Sequence, residues 1–199
     1  PEGYEFTDIH RTYSGEYGWI TLVAATAIHL RAWYKDTQYC GRCGAKMSHH
    51  PALRAMKCEC GNLQFPRIAP VVLAGIVKDD KIVATRYKGR PYKGLALNAG
   101  FVEIGESLEQ ALIREVEEEV GLKVAKLHYY GSQPWGHTGI EMAGFFVEIE
   151  GDDTITLDED ELSEAFWCSR EDLPEQEFDV SLTATMFEAF RKKEFYLFK

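Results

Sequence analysis

The chain of 199 residues has no long hydrophobic run. Its most apolar early stretch, residues 19–30, is interrupted by Thr21, Thr26 and His29. A membrane-spanning helix needs about 20 apolar residues, and the stretch lies too far in for a secretory signal. Positive charge is in deficit, with 22 Lys and Arg against 32 Asp and Glu and a formal net charge of −10. That balance disfavours broad binding to nucleic acid, although a locally basic groove would restore it. Outside residues 40–60 the single cysteine is Cys168, so there is no disulfide framework and a reducing, cytoplasmic setting is expected. Internal repeats and low-complexity tracts are missing. The chain begins at Pro1, so an initiator methionine or a longer leader is expected ahead of it.

What is present suffices for a core: 45 % of residues are hydrophobic and 13 % aromatic. Three regions are expected, an arm and helix at 1–37, a cysteine segment at 38–68 and a larger domain at 69–199. Residues 1–18 carry no period, whereas 19–37 lack Gly and Pro and read as a helix. Strands are expected at 71–77, 81–86, 95–102, 127–131, 142–150 and 165–168, with Asp79 and Asp80 making a hairpin turn. Helices are expected at 107–120, between Ser107 and Gly121 as caps, and at 180–193. Strands interrupted by one helix and closed by another make an α/β sandwich.

Within 100–122 the chain reads G-x₅-E-x₇-R-E-U-x-E-E-x-G-U, with U aliphatic. Average residue usage makes a chance match about one in 10⁹ per start site. On a helix Glu115, Glu118 and Glu119 share one face by i, i+3 and i+4 spacing, and three like charges there repel. A hard cation with oxygen ligands resolves the repulsion. Leu108, Leu112, Val116 and Val120 form the opposite, apolar face. Gly100 and Gly105 permit a tight loop beside it.

Cys40 and Cys43 form a C-x-x-C knuckle, and Cys58 and Cys60 a shorter C-x-C pair. Together they suit one structural, tetrahedral Zn²⁺, with His49 and His50 as substitutes for a thiolate. Such a metal would supply the folding free energy of a core-poor segment. Cys168, between Trp167 and Ser169, reads as a buried core thiol. Arg86, Lys88, Arg90 and Lys93 form a small basic loop suited equally to phosphates or to solvent, and His137 is a lone loop histidine.

The pattern at 100–122 resembles the Nudix hydrolase signature. With YCGRCG at 39–44, FPRIAP at 65–70 and SQPW at 132–135, the chain is similar to the NADH pyrophosphatase branch from about Trp33 onward. The resemblance implies a Nudix α/β/α sandwich with a mixed sheet, preceded by a small zinc ribbon. It implies a metal-dependent pyrophosphohydrolase that splits NAD(H) into nicotinamide mononucleotide and AMP, some members also removing NAD caps from RNA. By motif position Glu115, Glu118 and Glu119 would hold Mg²⁺ or Mn²⁺, one of them helping to activate water, and Arg114 would orient them. Glu106 would support the loop. Glu161 would be a late metal ligand, Phe101 would stack on a base or the nicotinamide ring, and Gln133 and Trp135 would line the pocket. A homodimer is implied too, with the arm contributing. This chain departs from the family at 136–140 (GHTGI), in the shortened second cysteine pair and in the reduced N-terminal region. ADP-ribose or another nucleoside diphosphate derivative therefore stays open as substrate. A non-catalytic nucleotide sensor is the reading from another class, and the intact acidic pattern argues against it.

Overall fold

The computed structural model describes residues 18–89, 94–135, 138–175 and 181–195. Most of the arm, Arg90, Lys93, Gly136 and His137 lie outside the described residues. The chain forms two compact units, residues 69–135 with 140–199 and residues 1–68 with 136–139.

In the first of these, strands β4 (Ala69–Lys78), β5 (Lys81–Tyr87), β6 (Asn98–Phe101), β7 (Lys123–Trp135), β8 (Ile140–Glu150) and β9 (Leu162–Ser169) make one sheet. Its order is β7-β8-β4-β5-β9, with β6 also on β4. β4 and β8 are parallel and the other pairs antiparallel, so the sheet is mixed. One edge of β4 carries β8. The other is shared, because the tight hairpin at Asp79 and Asp80 puts β5 only against Val77 and Lys78, leaving Val71–Ala74 free for β6.

Side chains alternate across β4, and the alternation builds two cores. Val71, Leu73 and Val77 meet helix α3 (Leu182–Lys192) through Met186, Phe187 and Phe190. Val72, Ala74 and Ile76 meet helix α2 (Leu108–Val120) through Ala111, Leu112, Val116 and Val120. The result is an α/β/α sandwich with mixed sheet. Cys168 is buried in the α3-side core.

Helix α2 begins and ends where its residues dictate. Ser107 accepts from the Gln110 amide and Gln110 Oε1 accepts from the Ser107 amide, a reciprocal capping box. Gly121 closes the helix in the left-handed region at φ 69°. Strand β7 runs on past residue 131 to Trp135, since its partner β8 offers ladder bonds as far as Ile140.

In the second unit, helix α1 (Gly18–Asp36) precedes a three-stranded antiparallel sheet, β1 (Ser48–His49), β2 (Met56–Lys57) and β3 (Leu63–Gln64). Its core is small: Cys40, Met47, Met56 and Cys58, with Trp33 and Tyr34 packed against it. Among the described residues no helix is long and apolar enough to cross a membrane.

Candidate functional site

The acidic face of α2 does not present three equivalent carboxylates. Glu119 is 3 % exposed and sits in the seam between helix and sheet, whereas Glu118 points outward with a side chain 60 % exposed. Glu115 lies between these extremes, over Gly100 of β6. A β-carbon at residue 100 would fall inside the Glu115 carboxyl group, so glycine leaves room for that carboxylate to lie against the strand.

Arg114 ties the cluster together. Its Nη1 donates to Glu115 Oε1 at 2.8 Å and to Glu118 Oε2 at 3.0 Å. Its Nε and Nη2 donate to the two oxygens of Glu106 at 2.7 and 2.9 Å, and Nη2 also reaches the Phe101 carbonyl at 3.0 Å. The guanidinium hydrogen bonds hold the Glu106 carboxyl at about 2 and push the arginine further up. Glu106 thereby anchors the loop to the helix and stands back from the other acids.

Two further residues, not evident from the acidic pattern, complete the cluster. Asn98 is buried on the same side of β6 as Gly100, and its amide donates to Glu119 Oε2 at 2.6 Å and to the Glu115 carbonyl at 3.3 Å. A lone amide in the apolar run 95–102 was the available signal. The second is Asp158. The amides of Thr156 and Asp158 donate to the carbonyls of Val120 and Glu119, docking this segment on the last turn of α2. That docking brings the acids of 158–161 to the helix.

Burial, then the charges of Glu115 and Glu161, push the Glu119 carboxyl up to about 8, with Asp158 adding to them. Burial also raises Glu115, against the opposing bond from Arg114. Glu119 Oε1 and Asn98 Oδ1 are buried without a hydrogen-bond partner. Orphaned oxygens among crowded carboxylates are the chemistry that Mg²⁺ or Mn²⁺ satisfies, although no three carboxylates of the described residues bring their oxygens within 4.8 Å of one another.

The pocket residues expected from the sequence lie on the other side of the sheet. Phe101, Val71, Met142 and Gln133 are successive cross-strand partners over β6, β4, β8 and β7. Directly opposed residues project to one face, here the α3 face. The row spans about 14 Å at about 4.8 Å per strand. Phe101 ends it 56 % exposed, Gln133 Oε1 is buried without a partner, and Trp135 packs partly against the α3-side core. The carboxylates and this row meet at β6, where Arg114 grips the Phe101 carbonyl. Of the basic loop, Arg86 pairs with Glu164 at 2.9 Å and Lys88 donates to the Glu159 carbonyl at 2.7 Å.

In the smaller unit the four expected thiols converge. The Sγ atoms of Cys40, Cys43, Cys58 and Cys60 lie within 4.8 Å of one another, the sole such group of ligand atoms among the described residues. The closest pairs are Cys43 with Cys58 at 3.5 Å and Cys40 with Cys60 at 3.7 Å. Four sulfurs bound at about 2.3 Å to one zinc are about 3.8 Å apart, so the short C-x-C pair still fits a tetrahedral ion. The Asn62 amide donates to Cys40 Sγ at 3.3 Å and, with backbone amides, holds that thiol down at about 6. Neither histidine joins. His50 Nδ1 accepts from the Ala52 and Leu53 amides, and His49 packs on Tyr34.

Comparison with known proteins agrees with this architecture. A family model described as the NUDIX domain matches residues 67–190. The NAD-capped RNA hydrolase NudC of Escherichia coli is 39 % identical over 153 residues, 76 % of this chain and 59 % of that protein. NudC of Escherichia fergusonii matches to the same extent. The chain thus spans less than two thirds of the length of these curated relatives. A NUDIX hydrolase from Nitrosomonas europaea has the same fold, with a TM-score of 0.65, 20 % identity and coverage of 78 % of this chain and 92 % of that one. The family match, the sandwich and the complete acidic signature place the chain in the Nudix hydrolase family.

Proposed function

We propose that the chain is a metal-dependent pyrophosphohydrolase that cleaves the diphosphate of NAD(H) to nicotinamide mononucleotide and AMP. Residues 69–199 form the hydrolase domain, 38–68 a structural zinc ribbon, and 1–37 an arm and helix. The observation that carries the reading is Glu119: a buried carboxylate with an orphaned oxygen, crowded by Glu115 and Glu161. An acid so placed costs stability unless a cation joins it.

Glu115, Glu118, Glu119 and Glu161 would hold Mg²⁺ or Mn²⁺, and Cys40, Cys43, Cys58 and Cys60 would hold Zn²⁺ away from the chemistry. When bound, the divalent cation neutralises diphosphate charge and acidifies a water. Arg114 fixes the carboxylates of Glu115 and Glu118 at one spacing. The exposed Glu118 carboxylate, held by Arg114 through Oε2, would accept a proton from the attacking water. Phe101, at the rim of β6, stacks on a base or the nicotinamide ring. Gln133 Oε1, buried and unpartnered, accepts from an exocyclic amine or amide, and Trp135 closes the pocket beside it. The similarity to NudC supports NAD as the cleaved group, whether free or as a cap on RNA. A reducing, cytoplasmic setting suits four thiols kept for a metal.

The test is phosphate release, coupled to a phosphatase, with Mg²⁺ and Mn²⁺ on NADH, NAD⁺, ADP-ribose, diadenosine polyphosphates and nucleotide sugars. Preferential cleavage of NAD(H), absent in Glu118→Gln, is expected. Cleavage of ADP-ribose with NAD(H) untouched would move the enzyme to another substrate within the same mechanism. Turnover unchanged in Glu118→Gln would remove the catalytic assignment and favour a nucleotide sensor.

A further inference from the structure

The four thiols of the smaller unit are not equivalent. Cys40 and Cys58 are buried and make half of its four-residue core, whereas Cys43 and Cys60 are exposed. Cys40 Sγ is also sheltered by two donors, the Arg42 amide at 3.4 Å and the Asn62 side chain at 3.3 Å. Among the described residues the only hydrogen-bond partners of the Cys43 and Cys60 sulfurs are thiols, Cys58 at 3.5 Å and Cys40 at 3.7 Å. Each close pair therefore joins one exposed sulfur to one buried sulfur. Each pair also crosses from the C-x-x-C knuckle to the C-x-C turn.

An accessible sulfur beside a second thiol is the arrangement of an oxidation-sensitive pair: the first meets the oxidant and its neighbour resolves the product. Hydrogen bonds to a thiolate spread its charge and make it a poorer nucleophile, which sets Cys40 apart from Cys60. Four cysteines allow three connectivities, and the spacing here selects one of them. Cys40 with Cys60 and Cys43 with Cys58 need about 1.6 Å of closure to reach a disulfide bond of about 2.05 Å. Cys168, buried in the core of the hydrolase unit, has no such access.

We propose that the four-cysteine cluster is a peroxide-sensitive modification site, in which Cys60 and Cys43 are oxidised first and Cys40 and Cys58 close the disulfides Cys40–Cys60 and Cys43–Cys58. In each pair the exposed thiolate attacks a peroxide oxygen, giving a sulfenic acid and one hydroxide. The buried thiolate then attacks that sulfur, forms the S–S bond and displaces a second hydroxide. Two thiolates thus lose two electrons, and one hydrogen peroxide takes them up. Sulfurs joined in disulfides no longer serve as thiolate ligands, so a bound Zn²⁺ is released, and a dithiol reductant reverses the change. Zinc occupancy rests on the function proposed above, whereas the pairing of the thiols does not depend on hydrolysis.

The experiment treats the zinc-loaded full chain with hydrogen peroxide and follows zinc release with a metallochromic dye. Trypsin and a glutamate-specific protease, cutting after Arg42, Lys57 and Glu59, then place the four cysteines on separate peptides for mass spectrometry. Release of one zinc per chain is expected, with disulfides Cys40–Cys60 and Cys43–Cys58, and recovery of zinc binding on adding dithiothreitol and zinc. Under limiting peroxide, dimedone should trap sulfenic acid on Cys60 and Cys43 about tenfold more than on Cys40 or Cys58. In Cys40→Ser the resolving thiol is gone, so the sulfenic acid on Cys60 should persist; if that variant does not fold, the map of the wild-type chain decides alone. A chain purified without zinc would remove the metal reading, and the same map of the metal-free chain would still decide this one. Trapping mainly on Cys40 or Cys58, or disulfides confined to Cys40–Cys43 and Cys58–Cys60, would overturn the proposal. So would oxidation of Cys168 as fast as that of the cluster, or zinc retained after Cys43 and Cys60 are oxidised.

Discussion

Glu115 of α2 lies directly over the α-carbon of Gly100 in β6, in space that any side chain at 100 would fill. The short strand β6 and the acidic helix are therefore fitted to each other at a single atom. In Gly100→Ala the helix stays anchored by Leu112, Val116 and Val120, so the fold should survive with a lowered melting temperature. The Glu115 carboxylate must move away. Displacement of about 1 Å at a catalytic group costs on the order of 10²-fold in rate. Circular dichroism should show native content while turnover falls by that order, and turnover near the wild-type value would remove Glu115 from the site.

Arg114 serves four acceptors at once, Glu106, Glu115, Glu118 and the Phe101 carbonyl, through a planar fork. A lysine keeps the charge but cannot reproduce the fork. Arg114→Lys should therefore lose activity nearly as severely as Arg114→Ala, roughly 10-fold to 10³-fold, through kcat rather than KM. Substantial rescue by lysine would show that only the charge matters.

The local features of this site were legible in the sequence because they depend on spacing within one element. The i, i+3, i+4 acids, the Ser107 and Gly121 caps and the apolar stripe of α2 are of that kind. Asn98 and Asp158 were not, because their positions come from the register of β6 on β4 and from the docking of residues 156–158 on the end of α2. The inequality of Glu118 and Glu119 was hidden for a related reason. A helical wheel gives a direction, whereas burial depends on what covers it, here Asn98 and the segment at 158. The shortened C-x-C pair departs from the family spacing, yet its thiols still converge with the other two beside the turn at Asn62, whose carbonyl accepts from the Cys58 amide. The −10 total hid the +4 of residues 38–68 because a sum carries no location.

The ribbon's own core is four side chains flanked by Trp33 and Tyr34, too little to order it alone. Removing zinc should therefore unfold it. Chelation should release one zinc per chain and increase solvent quenching of tryptophan fluorescence, Trp33 foremost. Cys60→Ser should weaken retention of the metal by at least tenfold. Quenching unchanged after complete zinc release would mean that the ribbon folds without it.

On α3, Glu188 accepts from Arg191, including Nε at 2.8 Å, and pairs with Lys192 at 3.2 Å. The Arg191 hydrogen bonds, opposed by burial and aided by Lys192, hold its carboxyl at about 2. A carboxylate whose folded value lies below its ordinary 4.5 adds stability above pH 4.5 and loses it as the pH falls towards 2. Glu188→Gln should therefore melt a few degrees lower at pH 7, about 1 kcal/mol after screening by solvent. The gap to wild type should shrink below pH 4.5 and close near pH 2. A gap independent of pH would assign the loss to packing.

Glu119 offers the reverse case. Its carboxylate is buried beside Glu115 and Glu161, and one of its oxygens has no partner, so its charge opposes folding when no cation is present. Glu119→Gln keeps an oxygen to accept from Asn98 and removes the charge. In the metal-free protein at neutral pH it should raise stability, on the order of 1 kcal/mol or more. Wild type should gain in melting temperature on adding Mg²⁺ or Mn²⁺, because a ligand that binds only the folded state stabilises it by mass action. The variant should lose most of that gain together with turnover. A metal-free variant less stable than wild type, with an intact metal-dependent shift, would show instead that Glu119 is held for structure and that the cation binds elsewhere.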